Sequence, residues 1–451
     1  MRVIRCYTVC ILGLSVVVAD VDRHFNWTVS RIAFGSCNKQ YKPQPLWQAI
    51  AAFEPQVWLW TGDAIYARPE PLWGPLSASE NTLFEAYGMQ RSNLGYEGIV
   101  RSAVIIDGTF DDHDYGLNDA GKELPNRDAS KHLFLNFIGV PQDSPRRKRD
   151  GVYGSLSFGT DPSQRVKLIL LDTRSNRDFH AVPSVGGWRL PISFPLPALI
   201  AAAVRMTTAM LGIGNQYSGD MLGEEQWQWL EKQLSEVSVT EDGLSTANNH
   251  AVHILVSSVQ LFTSNPLWES LGHFPTARLR LLKLLLKARP RGLLILSGDV
   301  HHAEISGSPS NSTRRQDEDM ENGLEVTSSG MTHTCKSFGV LCDIVLRHFW
   351  VHRRRADDVF TGLNFGTIEI AWSTKSAEYQ NSVLHVAIRD EVGDEVLAIR
   401  RSLSDSSDAL VYQTLAEAAA AGGVFASRYD VIMAWVGSAV TLLAVMVACV
   451  K

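Results

Sequence analysis

The chain is short of extremes, and each shortage excludes something. Of its 451 residues only six are cysteines. Cys6 and Cys10 fall in the first 19 residues and Cys449 in the last apolar run, so three remain for the body of the protein. Three allow one disulfide and leave one thiol over. Net charge is a modest −6, which gives no case for a nucleic-acid-binding surface. No internal repeat is visible. The interior also lacks a long uninterrupted hydrophobic run. Its most apolar stretch, 191–214, is broken by Pro191, Pro195, Pro197 and Arg205, and predicts an insertion with a helix over 198–212 rather than a membrane span.

What is present at the two ends points to the secretory route. Arg2 and Arg5 precede an apolar stretch over 7–18 and the small Ala19, the order expected of a signal peptide spanning 1–19. Residues 431–450 are uncharged and about one bilayer thickness long. They fit either a transmembrane helix or a GPI-anchor signal, with Ala421, Gly422 and Gly423 as the small residues ahead of a spacer. The expectation is therefore one domain over 20–400, extracellular or lumenal, then a linker over 401–430 and a C-terminal membrane tether. Asn26-Trp27-Thr28 and Asn311-Ser312-Thr313 are glycosylation sequons. Cys335 and Cys342 stand close enough to pair in an oxidising compartment. Cys37 is then left over, either a buried small hydrophobe or a thiolate held by a metal or by catalysis.

Between the ends, short apolar runs stop abruptly at polar or ionisable groups: "RIAFGSCN" (31–38), "VWLWTGDAIY" (57–66), "VKLILLDTRSNRD" (166–178), "HILVSSVQ" (253–260) and "GLLILSGDVHHAE" (292–304). Runs of this kind predict strands buried on both faces. Helical patterns lie between them at 45–53, 223–237 and 276–288. The alternation predicts an α/β fold, in which ligands gather at strand ends.

The densest polar stretch is "DGTFDDHDYG" (107–116), with Asp107, Asp111, Asp112, His113 and Asp114. Like charges this close cost free energy unless a cation or hydrogen bonds offset them. A polar turn is one reading, since turns favour aspartate; a cation site is the other. Gathered in one cleft, Cys37, Asp63, Tyr66, Asp112, Asp299 and His301 offer thiolate, carboxylate, phenolate and imidazole. That donor set suits a transition metal on the sulfur, phenolate and imidazole side, and a harder cation among the carboxylates and the amide oxygen of Asn118. Two such metals polarise a phosphoryl oxygen and acidify a water. Arg174 and Arg177 offer a phosphate partner, or alternatively structural ion pairs.

In order, "FGSCN", "TGDAIYA", "GTFDDHDYGLND", "LLDTRSNRD", "GEEQWQWLEKQL", "HILVSSVQLF", "FPTARLRLL", "LSGDVHHAEI" and "EVTSSGMTHT" resemble the PhoD-like branch of the calcineurin-like metallophosphoesterases. The resemblance spans Arg31 to Trp372. It implies a four-layer α/β/β/α sandwich and a phosphomonoesterase or phosphodiesterase that uses iron together with calcium. By the same resemblance Cys37 and Tyr66 bind iron, Asp63 bridges to the second metal, and Asp299, His301 and Asp112 are further ligands. Asn118 then meets metal or phosphate, with Asp111 and Asp112 unranked against each other. His113 is assigned a catalytic role, as general acid or as the group that orients a ligand. His302 stands where relatives often carry an aromatic residue. The reaction expected is attack on phosphorus, in line, by a metal-bound hydroxide at a dinuclear centre. The rivals are a phospholipase D-like diesterase, and a surface-binding protein that kept the fold without catalysis.

Overall fold

The computed structural model describes residues 22–421, except 68–73, 76–77, 103, 183–187, 190–195, 236, 240–244, 248–249, 266, 308–322, 340–351 other than 342 and 346, and 374–380. The expected signal peptide, the Asn311 sequon and the apolar run 431–450 lie outside the described residues. Among the described residues no helix is long and apolar enough to cross a membrane.

Two mixed sheets dominate. One has eight strands in the spatial order Arg23–Phe25, Gly154–Phe158, Val166–Leu170, Val252–Val256, Leu294–Ser297, Gly323–Thr327, Ala303–Gly307 and Val359–Phe360. The other has six: Glu395–Ser402, Val383–Arg389, Phe365–Ala371, Arg31–Gly35, Val57–Thr61 and Ile105–Thr109. In each, the predicted runs form a parallel group, Val166–Leu170 with Val252–Val256 and Leu294–Ser297 in the middle of the first sheet, and Arg31–Gly35 with Val57–Thr61 toward one edge of the second. Ile105–Thr109 extends the second group in parallel.

Strand alternation explains why these runs are apolar throughout. Successive side chains point to opposite faces of a sheet, so a strand between two cores must be hydrophobic at every position. Val57 and Leu59 enter a core lying between the sheets, together with Leu168, Leu170, Ile254, Val256, Leu294 and Leu296. Trp58 and Trp60 point the other way, into a core with Trp47 and Ile50 of helix Leu46–Phe53 and Tyr96 of helix Leu94–Arg101. Ile169, Leu255 and Ile295 face a third core, with Trp227 and Leu230 of helix Glu224–Leu234 and Leu281 and Leu285 of helix Pro275–Ala288.

The stretch expected as a linker is partly structured. Helix Asp405–Ala420 starts on a Ser404 cap and buries Val411, Tyr412 and Leu415 in the third core. Its short apolar pattern was masked by flanking serines and aspartates, which serve as its first turn. Cys335 and Cys342 form a disulfide, and Cys37 is free and buried.

Candidate metal centre

The C-terminal ends of the parallel strands from both sheets meet, and their loops bring the predicted residues together. The approach is close enough to require glycine. A Cβ on Gly298 would run into the Thr61 carbonyl oxygen and lie 2.5 Å from Ser36 Oγ. One on Gly62, at φ +94°, would meet Asp111 Cβ at 2.7 Å. Beyond these glycines the backbone is held in the left-handed region at Cys37 (φ 61°), Asp63 (50°), Asp299 (69°) and His301 (58°). Four non-glycine residues in that region cost free energy, and such strain collects where side-chain aim matters more than stability.

The side chains so aimed form two overlapping clusters. Cys37, Asp63 and His301 each place a ligand atom within 4.8 Å of the others, as do Asp63, Asp112 and His113. Cys37 Sγ lies 3.6 Å from Asp63 Oδ2, which also accepts a hydrogen bond from the Tyr66 hydroxyl at 2.7 Å. The same hydroxyl is 3.2 Å from His301 Nε2. Asp63 Oδ1 turns the other way and accepts from His113 N at 3.3 Å. His113 stacks on Tyr66, with ring centroids 3.9 Å apart, and its Nε2 is 3.9 Å from Asp112 Oδ1. Asp299 joins through its backbone oxygen, 3.8 Å from Cys37 Sγ, and Asn118 is half-buried in the turn after the acid stretch.

The four acids of "DGTFDDHDYG" separate by partner. Asp107 holds Arg146 at 2.6 Å. Asp111 accepts from Arg174 Nε at 2.6 Å and Ser258 Oγ at 2.7 Å. Asp114 accepts from three backbone amides, those of Ala64, Ile65 and Asp111. Asp112 accepts from Asp119 N through Oδ2, while its Oδ1 is buried with no hydrogen-bond partner among the described residues. Asp107 thus lies in strand Ile105–Thr109 and is held by Arg146. The polar-turn reading holds for Asp114 and for Asp111, whose Oδ2 is likewise without a hydrogen-bond partner among the described residues. Asp112 is the acid that shares the cluster with Asp63 and His113.

Burial sets the electrostatics. It pushes the Cys37 thiol and the Asp63 carboxyl well above their ordinary values, and the negative charges of Asp63 on the first and of Asp112 on the second add to the shift. Burial likewise raises Tyr66 and Asp299, and lowers His301 to about 3. Among the described residues no lysine or arginine forms an ion pair with Asp63, Asp112 or Asp299. Lys39 sits over the Tyr66 ring, 4.9 Å from its centroid. A buried group of thiol, phenol and carboxyls whose carboxylates have no lysine or arginine ion pair among the described residues is the donor set a metal ion stabilises, since binding replaces the protons.

Both arginines make the ion pairs that were the alternative to phosphate binding. Arg174 is fully buried between Asp111 and Glu269, with Nη1 2.9 Å from Glu269 Oε2, and Nη2 alone lacks a partner among the described residues. Arg177 was expected on the substrate. Its donors go to the backbone oxygens of Asp119, Ala120 and Asp178 and it lies 3.5 Å from Glu269, so it holds the turn rather than facing the cluster. His302 turns away, with Nδ1 2.8 Å from the Val300 oxygen. Sequence reasoning missed Glu269, Ser329 and the proximity of His333. Ser329 Oγ is 3.0 Å from Cys37 Sγ and accepts from His301 N at 2.8 Å. The His333 ring lies 4.5 Å from that of His301. Ser329 and His333 both sit in "EVTSSGMTHT"; nothing around Glu269 sets it apart in the sequence.

Fold and cluster define an α/β protein with candidate metal-binding groups at converging strand ends. The chain belongs to the PhoD-like phosphatase family: the family model matches residues 110–379, more than half of the sequence. Cys37, Asp63 and Tyr66 lie ahead of the matched residues, so for them the geometry above stands by itself. Among solved structures, one described as "Structure of PhoD" is similar at 13% identity, covering 88% of this chain and 78% of that one, with a TM-score of 0.48. Another, "GAP50 the anchor in the inner membrane complex of Plasmodium", is similar at 11% identity, covering 85% and 95%, with a TM-score of 0.43. No curated protein matches significantly.

Proposed function

We propose that the chain hydrolyses phosphoric esters at a dinuclear metal centre. The observation that carries this reading is the position of Asp63. It belongs to both clusters: Oδ2 lies toward Cys37 and Tyr66, Oδ1 accepts from the His113 backbone amide, and the carboxylate stands within 4.8 Å of ligand atoms on Cys37 and His301 and of ligand atoms on Asp112 and His113. One carboxylate facing two donor sets is what a bridging ligand requires. Cys37, Tyr66 and His301 would hold the first ion, whose sulfur, phenolate and imidazole donors suit iron. Asp112, with Asp299 and Asn118, would hold the second, an oxygen set that suits calcium.

Metal ions bound there supply polarisation of a phosphoryl oxygen and acidification of a water. The chain's own residues position the reaction. The strained backbone at Cys37, Asp63 and His301 fixes donor direction. Ser329 ties Cys37 to the His301 loop. His113, kept neutral by burial and partly open to solvent, presents Nε2 for a proton beside Asp112. Arg174 would contribute Nη2 to a phosphate oxygen and neutralises Asp111 through Nε.

The order of cores, helices over one sheet, sheet against sheet, then helices again, supports a four-layer metallophosphoesterase sandwich. The disulfide and the exposed Asn26 sequon favour an extracellular or lumenal domain tethered by 431–450. The test is metal removal. Chelation of the full chain abolishes hydrolysis of p-nitrophenyl phosphate and bis-p-nitrophenyl phosphate, and iron with calcium restores it. Undiminished turnover after complete chelation refutes the metal-dependent reading, and the ratio of the two substrates ranks monoester against diester.

A further inference from the structure

The insertion after residue 179 reaches the flank of the candidate centre. Helix Leu196–Met210 carries Arg205, whose Nη2 is 3.3 Å from Asp119 Oδ2. Asp119 in turn places a carboxylate oxygen within 4.8 Å of ligand atoms on Asp112 and Glu269. This acidic trio differs from the clusters around Asp63 in one respect that decides its role. Glu269 is already paired with Arg174 and Arg177, and Asp119 with Arg205, so a cation there would have to displace guanidinium groups. Metal donors thus collect on one side of Asp112 and arginines on the other.

The three arginines are not equivalent. The side chains of Arg174 and Arg177 are 0% and 1% exposed, whereas that of Arg205 is 19% exposed and belongs to a segment outside the sheets. A ligand arriving from solvent meets Arg205 first. The Arg205–Asp119 pair, at 19% and 12% exposure against 0% and 2% for Arg174–Glu269, is the more open of the two to exchange of its carboxylate for another anion. A guanidinium fork also matches two oxygens of a phosphate.

From this placement we propose that Arg205 is a specificity-determining residue that binds a second phosphate group of the substrate, carried on the alcohol part of the ester. The substrate class is then a bisphosphate: one phosphate enters the centre beside Asp112 while the other replaces Asp119 on Arg205. The inference rests on the proposed hydrolytic function and adds the substrate's second anchoring point.

The experiment compares release of phosphate from propyl phosphate and from propane-1,3-diyl bisphosphate by the full, metal-loaded chain. The wild type is expected to show a KM about tenfold lower for the bisphosphate, a preference that Arg205→Ala removes while kcat changes little. Arg205→Lys, which keeps the charge but loses the fork, recovers part of it. Equal KM for the two esters in the wild type, or equal effects of Arg205→Ala on both, overturns the subsite and leaves the hydrolase standing. Failure of the wild type to hydrolyse either ester overturns both, and the two failures are thereby distinguished.

Discussion

Asp63→Asn abolishes turnover and leaves a metal-free protein that melts no lower than the wild type. The loss expected is on the order of 10³-fold in kcat, because the substitution removes the one carboxylate shared by both donor clusters. The stability side follows from charge. Asp63 is buried beside Asp112, Asp111 and Asp114, which together with burial raise its pKa well above the ordinary carboxylate value. A carboxylate raised in the folded state contributes stability below its unfolded pKa and loses it as pH rises through the folded one. At neutral pH in the absence of metal its ionisation therefore opposes folding, and asparagine, which still accepts from the Tyr66 hydroxyl, relieves that opposition. Activity assays and thermal melts of metal-free protein check both halves. A large fall in melting temperature would mark Asp63 as structural and turn the activity loss into a folding effect.

Glu269→Ala produces the opposite pairing of effects, with stability lost first. Glu269 is buried and hydrogen-bonded by Arg174 at 2.9 and 3.1 Å and by His180 at 3.0 Å, with Arg177 at 3.5 Å. Removing it leaves Arg174 with Asp111 as its one carboxylate and Arg177 with backbone oxygens alone, a loss of buried charge pairing that costs about 3 kcal/mol. A urea titration measures this as a lower unfolding midpoint. Glu269→Gln, which keeps the shape and one acceptor, falls between the two. A midpoint unchanged in Glu269→Ala would mean that the arginines find other partners and that the network does not support the site.

These two outcomes also separate what was legible in the sequence from what was not. "VWLWT" and "VKLIL" announce doubly buried strands because both faces of each sheet are covered, and the observed strands Val57–Thr61 and Val166–Leu170 coincide with them. Helices predicted at 45–53 and 276–288 appear as Leu46–Phe53 and Pro275–Ala288, since their apolar faces recur at helical spacing. The antiparallel strands Phe365–Ala371, Val383–Arg389 and Glu395–Ser402 were not anticipated. The last two have one more solvated face, so their weaker alternation merges with the loops around them. Cys37, Asp63, Tyr66 and His301 were legible because each ends a recognisable run. Asp111 and Asp112 could not be ranked, because adjacent aspartates differ only in direction. Direction is set by Gly62 packing on Asp111 and by Arg174 capturing it, contacts between segments distant in the chain. Glu269 lies in a segment with no periodic signal and Arg205 in the helix predicted over 198–212, and only the fold brings them to the acid stretch.

The most direct test of the account is the metal content of the purified full chain, measured by elemental mass spectrometry for wild type and Cys37→Ala after iron and calcium have been supplied. The account predicts at least two metal ions per wild-type chain, one of them iron, with the iron lost and the harder cation largely kept in Cys37→Ala. A folded wild type that binds neither metal, or a Cys37→Ala variant with undiminished iron, would contradict it.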